Sequence, residues 1–88
     1  MTTREVRIVN QLGLHARPAA QIVKIASAYQ AEVEVVKDGL AVNGKSIMGV
    51  MMLAAECGST LTFKADGPDE AEAIEALAAL VAAGFGES

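Results

Sequence analysis

Leu12-Gly13-Leu14-His15-Ala16-Arg17-Pro18-Ala19-Ala20 is the stretch that sets how the rest of the chain is read. It holds the single histidine of the 88 residues, an arginine two places on, and a proline opening an apolar-periodic run. Proline is favoured at the first helical position, where its missing N–H would have no partner anyway. The segment therefore reads as loop, then His15, then helix. A helix start offers unpaired N–H groups and the positive end of the macrodipole, so Ala16 and Pro18 would frame an anion site. Arg17 adds a planar fork of donors suited to phosphate oxygens. An imidazole placed there can act as a nucleophile whose phosphorylated product is held where it forms. A lone histidine near a helix start also serves as a cap or a solvated side chain, and the local residues leave the two readings even.

Working outward, residues 4–9 alternate as a strand with Val6 and Ile8 on one side, and Asn10 to Gly13 supply turn chemistry. Gly13 reads either as a sharp turn into the His15 loop or as an ordinary turn glycine. From Ala16 to about Tyr29 the period is helical. Ala19, Ile22, Val23 and Ala26 share a core face, and Arg17, Gln21, Lys24 and Ser27 or Ala28 lie opposite. Residues 32–36 alternate as a strand, Lys37-Asp38-Gly39 signals a hairpin, and residues 40–42 return.

Ser46 is placed to cap a second helix from Ile47 to Leu53, its hydroxyl accepting from an amide two or three residues on. If Ile47, Val50 and Leu53 face the sheet, Met48, Met51 and Met52 are left outward. Exposed methionine is common where several partners must be accepted, and methionine filling core gaps is the competing reading. Cys57 has no base near it in sequence and reads as an inert or half-buried thiol. Residues 60–65 alternate strictly. Asp66-Gly67-Pro68-Asp69-Glu70 opens the last helix, with Pro68 near its first position and acids at its positive end. Its core stripe is Ala71, Ile74, Leu77, Ala78 and Val81, with Gly84 as the stop and Phe85 folding back.

The order strand, helix, strand, strand, helix, strand, helix predicts a two-layer α+β sandwich in one domain spanning 1–88. Hydrophobic content of 52% against 20% charge fits a packed core, and the aromatics are only Tyr29, Phe63 and Phe85, so that core must be aliphatic. A net charge of −4 argues against nucleic acid. One cysteine and one histidine give neither an internal disulfide nor a metal cluster. No apolar run of about 20 residues or signal peptide is read, so no membrane insertion and a cytoplasmic location are expected.

Gly-Leu-His-Ala-Arg-Pro-Ala resembles the active-site signature of HPr, the histidine-containing phosphocarrier family of the bacterial phosphoenolpyruvate-dependent phosphotransferase system. Lys45-Ser46-Ile47-Met48-Gly49-Val50-Met51 resembles a second segment of that family, and the likeness covers essentially the whole chain. The resemblance implies an open-faced βαββαβα sandwich, with a four-stranded antiparallel sheet in order 1-4-2-3 under three helices. It implies phosphorylation of His15 at Nδ1, with Arg17 steadying the phosphoryl group and no cofactor. It also implies docking of partners through Ala20, Gln21, Lys24, Ile47, Met48, Met51 and Met52. The implied partners of such a monomer are enzyme I as donor and enzyme IIA-type proteins as acceptors, with HPr kinase/phosphorylase acting at Ser46. Leu12 and Gly84-Phe85-Gly86-Glu87 look more like the nitrogen-related paralogue, which serves regulation more than sugar uptake.

Three function classes compete. A phosphoryl carrier needs an exposed nucleophile, modest local stabilisation and a surface that two partners share, and this chain offers all three. A small autonomous enzyme would need a general base, a metal or a positioned water, yet no carboxylate lies between Leu12 and Ala20. A regulatory binding module without chemistry predicts that His15 is replaceable without loss. The carrier leads.

Overall fold

In a computed structural model that describes residues 1–86, alternating apolar residues build four strands and periodic ones build three helices. They are β1 (Thr2–Arg7), α1 (Ala16–Ser27), β2 (Glu32–Lys37), β3 (Leu40–Asn43), α2 (Ile47–Met52), β4 (Thr60–Asp66) and α3 (Glu70–Ala82). A short 3-10 turn follows at Gly84–Gly86, and the expectation that included Glu87 lies outside the described residues. The sheet is antiparallel in order β1-β4-β2-β3. Its central strand β4 turns Leu61, Phe63 and Ala65 inward, and Val35 of β2 sits opposite Phe63. Burying alternate residues on one face leaves the other face to Thr62, Lys64, Glu32 and Glu34, the pattern of a sheet covered on one side only.

The core is one aliphatic cluster around Phe63. Ala19, Ile22 and Ala26 reach it from α1, Val50 from α2, and Ile74, Leu77 and Val81 from α3. The alanines matter because they let helix backbones approach the sheet closely. Phe85 does fold back and is buried after Gly84 takes a left-handed φ of 66°. The Lys37-Asp38-Gly39 signal forms the expected hairpin, with φ of 50° at Asp38 and 83° at Gly39, the positive pair of a type I′ turn.

Several boundaries move. β1 runs over 2–7 rather than 4–9, because its register from Thr2 opposite Ala65 ends at Arg7 opposite Thr60. Ile8 still exchanges backbone bonds with Ser59 and Gly58, and Val9 turns outward. α1 stops at Ser27, where Ala28 and Tyr29 donate to Ile25 and Ala26 and tighten the last turn. Lys45 Nζ donates to the Tyr29 carbonyl at 2.9 Å, a cation at the negative end of that helix. In α3 the buried alanine of the first turns is Ala73, not Ala71, since Ala73 stands four residues before Leu77 on the inward stripe.

Pro68 precedes α3 by two residues instead of opening it, and Asp69 is the N-cap residue. Its carboxylate does not cap α3. It accepts from the Gln30 and Ala31 amides, both at 2.9 Å, and so ties the α1–β2 connection to the start of α3. The Gln30 bond leads in holding this carboxyl below the usual range. Glu70 accepts from the Gly67 amide, the Thr2 hydroxyl and the terminal ammonium. The Thr2 bond is the main reason its pKa is pulled down to about 2. The two acids at the positive end of α3 are therefore tethers to other parts of the fold.

Candidate functional site

His15 is the N-cap residue of α1, half-buried, with extended backbone (φ −81°, ψ −171°). Its side chain does not cap the helix. The helix starts on its backbone instead, where Ala19 N–H donates to the His15 carbonyl at 3.0 Å. The amides of Ala16 and Arg17 therefore belong to the first turn and have no acceptor within α1. Pro18 is the third helical residue rather than the first. Its missing N–H costs no bond there either, since the third residue's amide would also be an orphan. With no N–H and a fully buried ring, Pro18 offers an anion nothing directly, so the backbone share of the site falls to Ala16 and Arg17.

Two features of the preceding loop put His15 in place. Asn10, only 2% exposed, donates from Nδ2 to the Gly13 carbonyl at 2.8 Å, while Gly13 N–H donates back to the Asn10 carbonyl. Leu14 N–H then donates to the Ala55 carbonyl at 2.8 Å, and its side chain enters the core. Gly13 resolves in favour of the sharp turn. It has φ +68°, and a Cβ there would stand 2.5 Å from the Ala55 oxygen and 3.0 Å from Glu56 Cα. Gly13→Ala is expected to destabilise the fold by about 2–4 kcal/mol, from the left-handed penalty plus the forced shift of the 54–58 loop. A urea midpoint series measures this, and a midpoint equal to wild type would show that the loop yields without cost.

Arg17, Ala20 and Lys24 are exposed along one side of α1, with Gln21 half-buried beside them. α2 packs against α1 and is anchored by Val50 and by Leu53 just past its end. Ser46 caps α2 as expected, its Oγ accepting from Gly49 N–H at 3.1 Å. Met48 is 77% exposed, Met52 68% and Met51 42%, so the methionines are surface and not core filling. Ile47 is also exposed, against the expectation that it faces the sheet. A side chain at the first helical position leans back past the helix start, beyond the sheet. Cys57 is exposed rather than half-buried.

Sequence reasoning passed over Asn10 and Ala55. Asn10 lay in a turn signature and its type could have drawn notice, whereas Ala55 acts through its carbonyl and carries no signal. Among the described residues no three His, Cys, Asp or Glu side chains gather as a metal site, and no helix is long and apolar enough to cross a membrane.

With this geometry in view, comparison with known proteins is informative. A family model described as PTS HPr component phosphorylation site matches residues 2–83. The chain is similar to phosphocarrier protein HPr of Cupriavidus necator, 52% identical over 99% of this chain and 98% of that one. It is 48% identical to phosphocarrier protein HPr of Neisseria meningitidis serogroup A, again over 99% and 98%. The crystal structure of HPr-C-His from Thermoanaerobacter tengcongensis matches with a TM-score of 0.96 at 45% identity, covering 100% of this chain and 99% of that one.

Proposed function

The chain belongs to the HPr family and is a phosphoryl carrier of the phosphotransferase system, and on that premise we propose how its residues do the work. The chain acts as one cytoplasmic, monomeric domain with His15 as the carried group's attachment point. An imidazole nitrogen of His15 attacks phosphorus on phospho-enzyme I; the new N–P bond forms as the bond to the donor breaks. Transfer to an enzyme IIA-type protein runs the same exchange outward. The Ala16 and Arg17 amides and the Arg17 guanidinium hold the phosphoryl oxygens meanwhile. No carboxylate lies between Leu12 and Ala20 to act as a general base, which suits a carrier that hands its group on and not an enzyme that hydrolyses it. The observation that carries this reading is the position of His15. It is the N-cap residue of a helix whose first amides have no acceptor within that helix, next to a second helix that exposes methionine.

Both partners use the surface formed by Ala20, Gln21, Lys24, Ile47, Met48, Met51 and Met52. Met48→Glu tests it. At 77% exposure the substitution should leave the melting temperature within a few degrees of wild type, as surface changes do. A carboxylate set against an apolar contact should slow transfer from enzyme I by about tenfold or more. A large loss of stability with normal transfer would overturn the assignment.

Ser46 is the regulatory position in this reading, with HPr kinase/phosphorylase as the modifying protein. Its Oγ already accepts an amide hydrogen bond at the start of α2, so a phosphate there keeps that bond while adding roughly −1.5 to −2 charge beside the docking face. Ser46→Asp preserves a capping oxygen and is expected to slow phosphoryl acceptance without lowering stability. Ser46→Ala, by contrast, should lose about 1 kcal/mol of stability and transfer normally. Equal transfer by the aspartate variant and wild type would remove the electrostatic switch.

A further inference from the structure

All four methionines of the chain are exposed, and three of them, Met48, Met51 and Met52, stand together on α2. The core that holds the fold contains no sulfur; it is built from Ile, Leu, Val, Ala and Phe. α2 itself is anchored by Val50 and Leu53. Oxidation chemistry is thereby separated from stability and concentrated on one surface. We propose that Met48, Met51 and Met52 form a peroxide-sensitive modification site whose sulfoxidation reversibly weakens docking to phosphotransfer partners. This rests on the reading of α2 as a docking helix.

In each event the thioether sulfur attacks one oxygen of hydrogen peroxide, the S–O bond forms and the O–O bond breaks. The departing hydroxide takes up the proton released from the transferred oxygen, giving sulfoxide and water. Sulfur loses two electrons and peroxide gains them. The product replaces a flexible apolar side chain with a polar one. On the free protein the new S=O group is solvated and costs little. Under a partner it must be buried, and an unpaired buried polar group is penalised. Met48 lies three residues from Met51 and four from Met52, so it neighbours both on the helix surface. At 77% and 68% exposure, Met48 and Met52 should oxidise before Met51 at 42%.

The experiment uses the full chain carrying Cys57→Ser, because that exposed thiol is a competing target for peroxide. The protein is treated with hydrogen peroxide, the peroxide is removed, and sulfoxides are located by peptide mass spectrometry. Phosphoryl acceptance from phosphoenolpyruvate and enzyme I is then compared with the untreated sample. We expect oxidation at the α2 methionines, an unchanged melting temperature, and acceptance slowed about tenfold at limiting partner. Methionine sulfoxide reductases should restore it. A chain with Met48→Leu, Met51→Leu and Met52→Leu should keep its own starting rate through the same treatment. Unchanged acceptance by the sulfoxide form, or equal slowing of the leucine variant, would overturn the proposal. If Met48→Glu slows transfer while the sulfoxide does not, the oxidation site fails and the docking reading stands. If Met48→Glu transfers normally, both fall together.

Discussion

Replacing His15 with alanine is expected to abolish phosphoryl acceptance while leaving the fold in place. The two halves of this expectation come from different atoms of one residue. The His15 backbone starts α1 by accepting from Ala19 N–H, and alanine keeps that carbonyl. The His15 side chain does not cap α1, so its loss removes no capping bond. What disappears is the only imidazole in the chain, and no other residue between Leu12 and Ala20 can accept and return a phosphoryl group in its place. Mixed with phosphoenolpyruvate and enzyme I, the wild-type chain should gain one phosphoryl group. Resistance to alkali and loss in acid would mark it as a phosphorus–nitrogen bond, at Nδ1 if the family pattern holds. The alanine variant should gain none and should melt within a few degrees of wild type. Label retained by the variant, or label stable to acid, would take His15 out of the mechanism. An unfolded variant would contradict the division between its backbone and side-chain roles.

How much of this was readable beforehand follows from the range of the interactions involved. Local periodicity placed every strand and helix, because apolar alternation in residues 60–65 and the three-four spacing of Ala19, Ile22 and Ala26 are decided by near neighbours. Strand order is not of that kind. Alternation tells which side of β4 faces inward and nothing about whether β1 or β3 lies beside it; the order 1-4-2-3 came through the family resemblance. The misplacements share a cause. Ile47 and Ala71 fall on plausible inward phases, yet both sit in the first turn of a helix, where the side chain overhangs the sheet. Gly13 had two readings from sequence, and what separates them is the Ala55 carbonyl, 42 residues away in sequence and 2.5 Å from where a Cβ would stand. The helix start at His15 and the capping serine were legible because each is decided by residues a turn or less away. The loop that aims the histidine was not, because Asn10 and Ala55 hold it from a distance.

The helix start proposed to hold the phosphoryl group has fewer backbone donors than a helix start usually offers, and this sets the second large effect. A phosphoryl group on the His15 ring presents three oxygens. Ala16 and Arg17 can each give one amide, but the next residue is Pro18, which has none. On the proposed reading, the exposed guanidinium of Arg17 is therefore the source of the remaining donors rather than an addition to a complete cradle. Arg17→Ala should slow transfer in both directions by about ten- to a hundred-fold, the rate equivalent of losing a hydrogen bond to a charged group worth roughly 1.5–3 kcal/mol. Arg17→Lys should fall between the two, since an ammonium restores the charge without the two-pronged contact. Stability should hardly change, because Arg17 is exposed in the second helical position and alanine is a good helix former. Single-turnover transfer from phospho-enzyme I to the chain, and from the phosphorylated chain to an enzyme IIA-type acceptor, measures both directions. If alanine and wild type transfer alike, the two amides suffice. If alanine and lysine lose equally, the geometry of the fork matters and its charge does not.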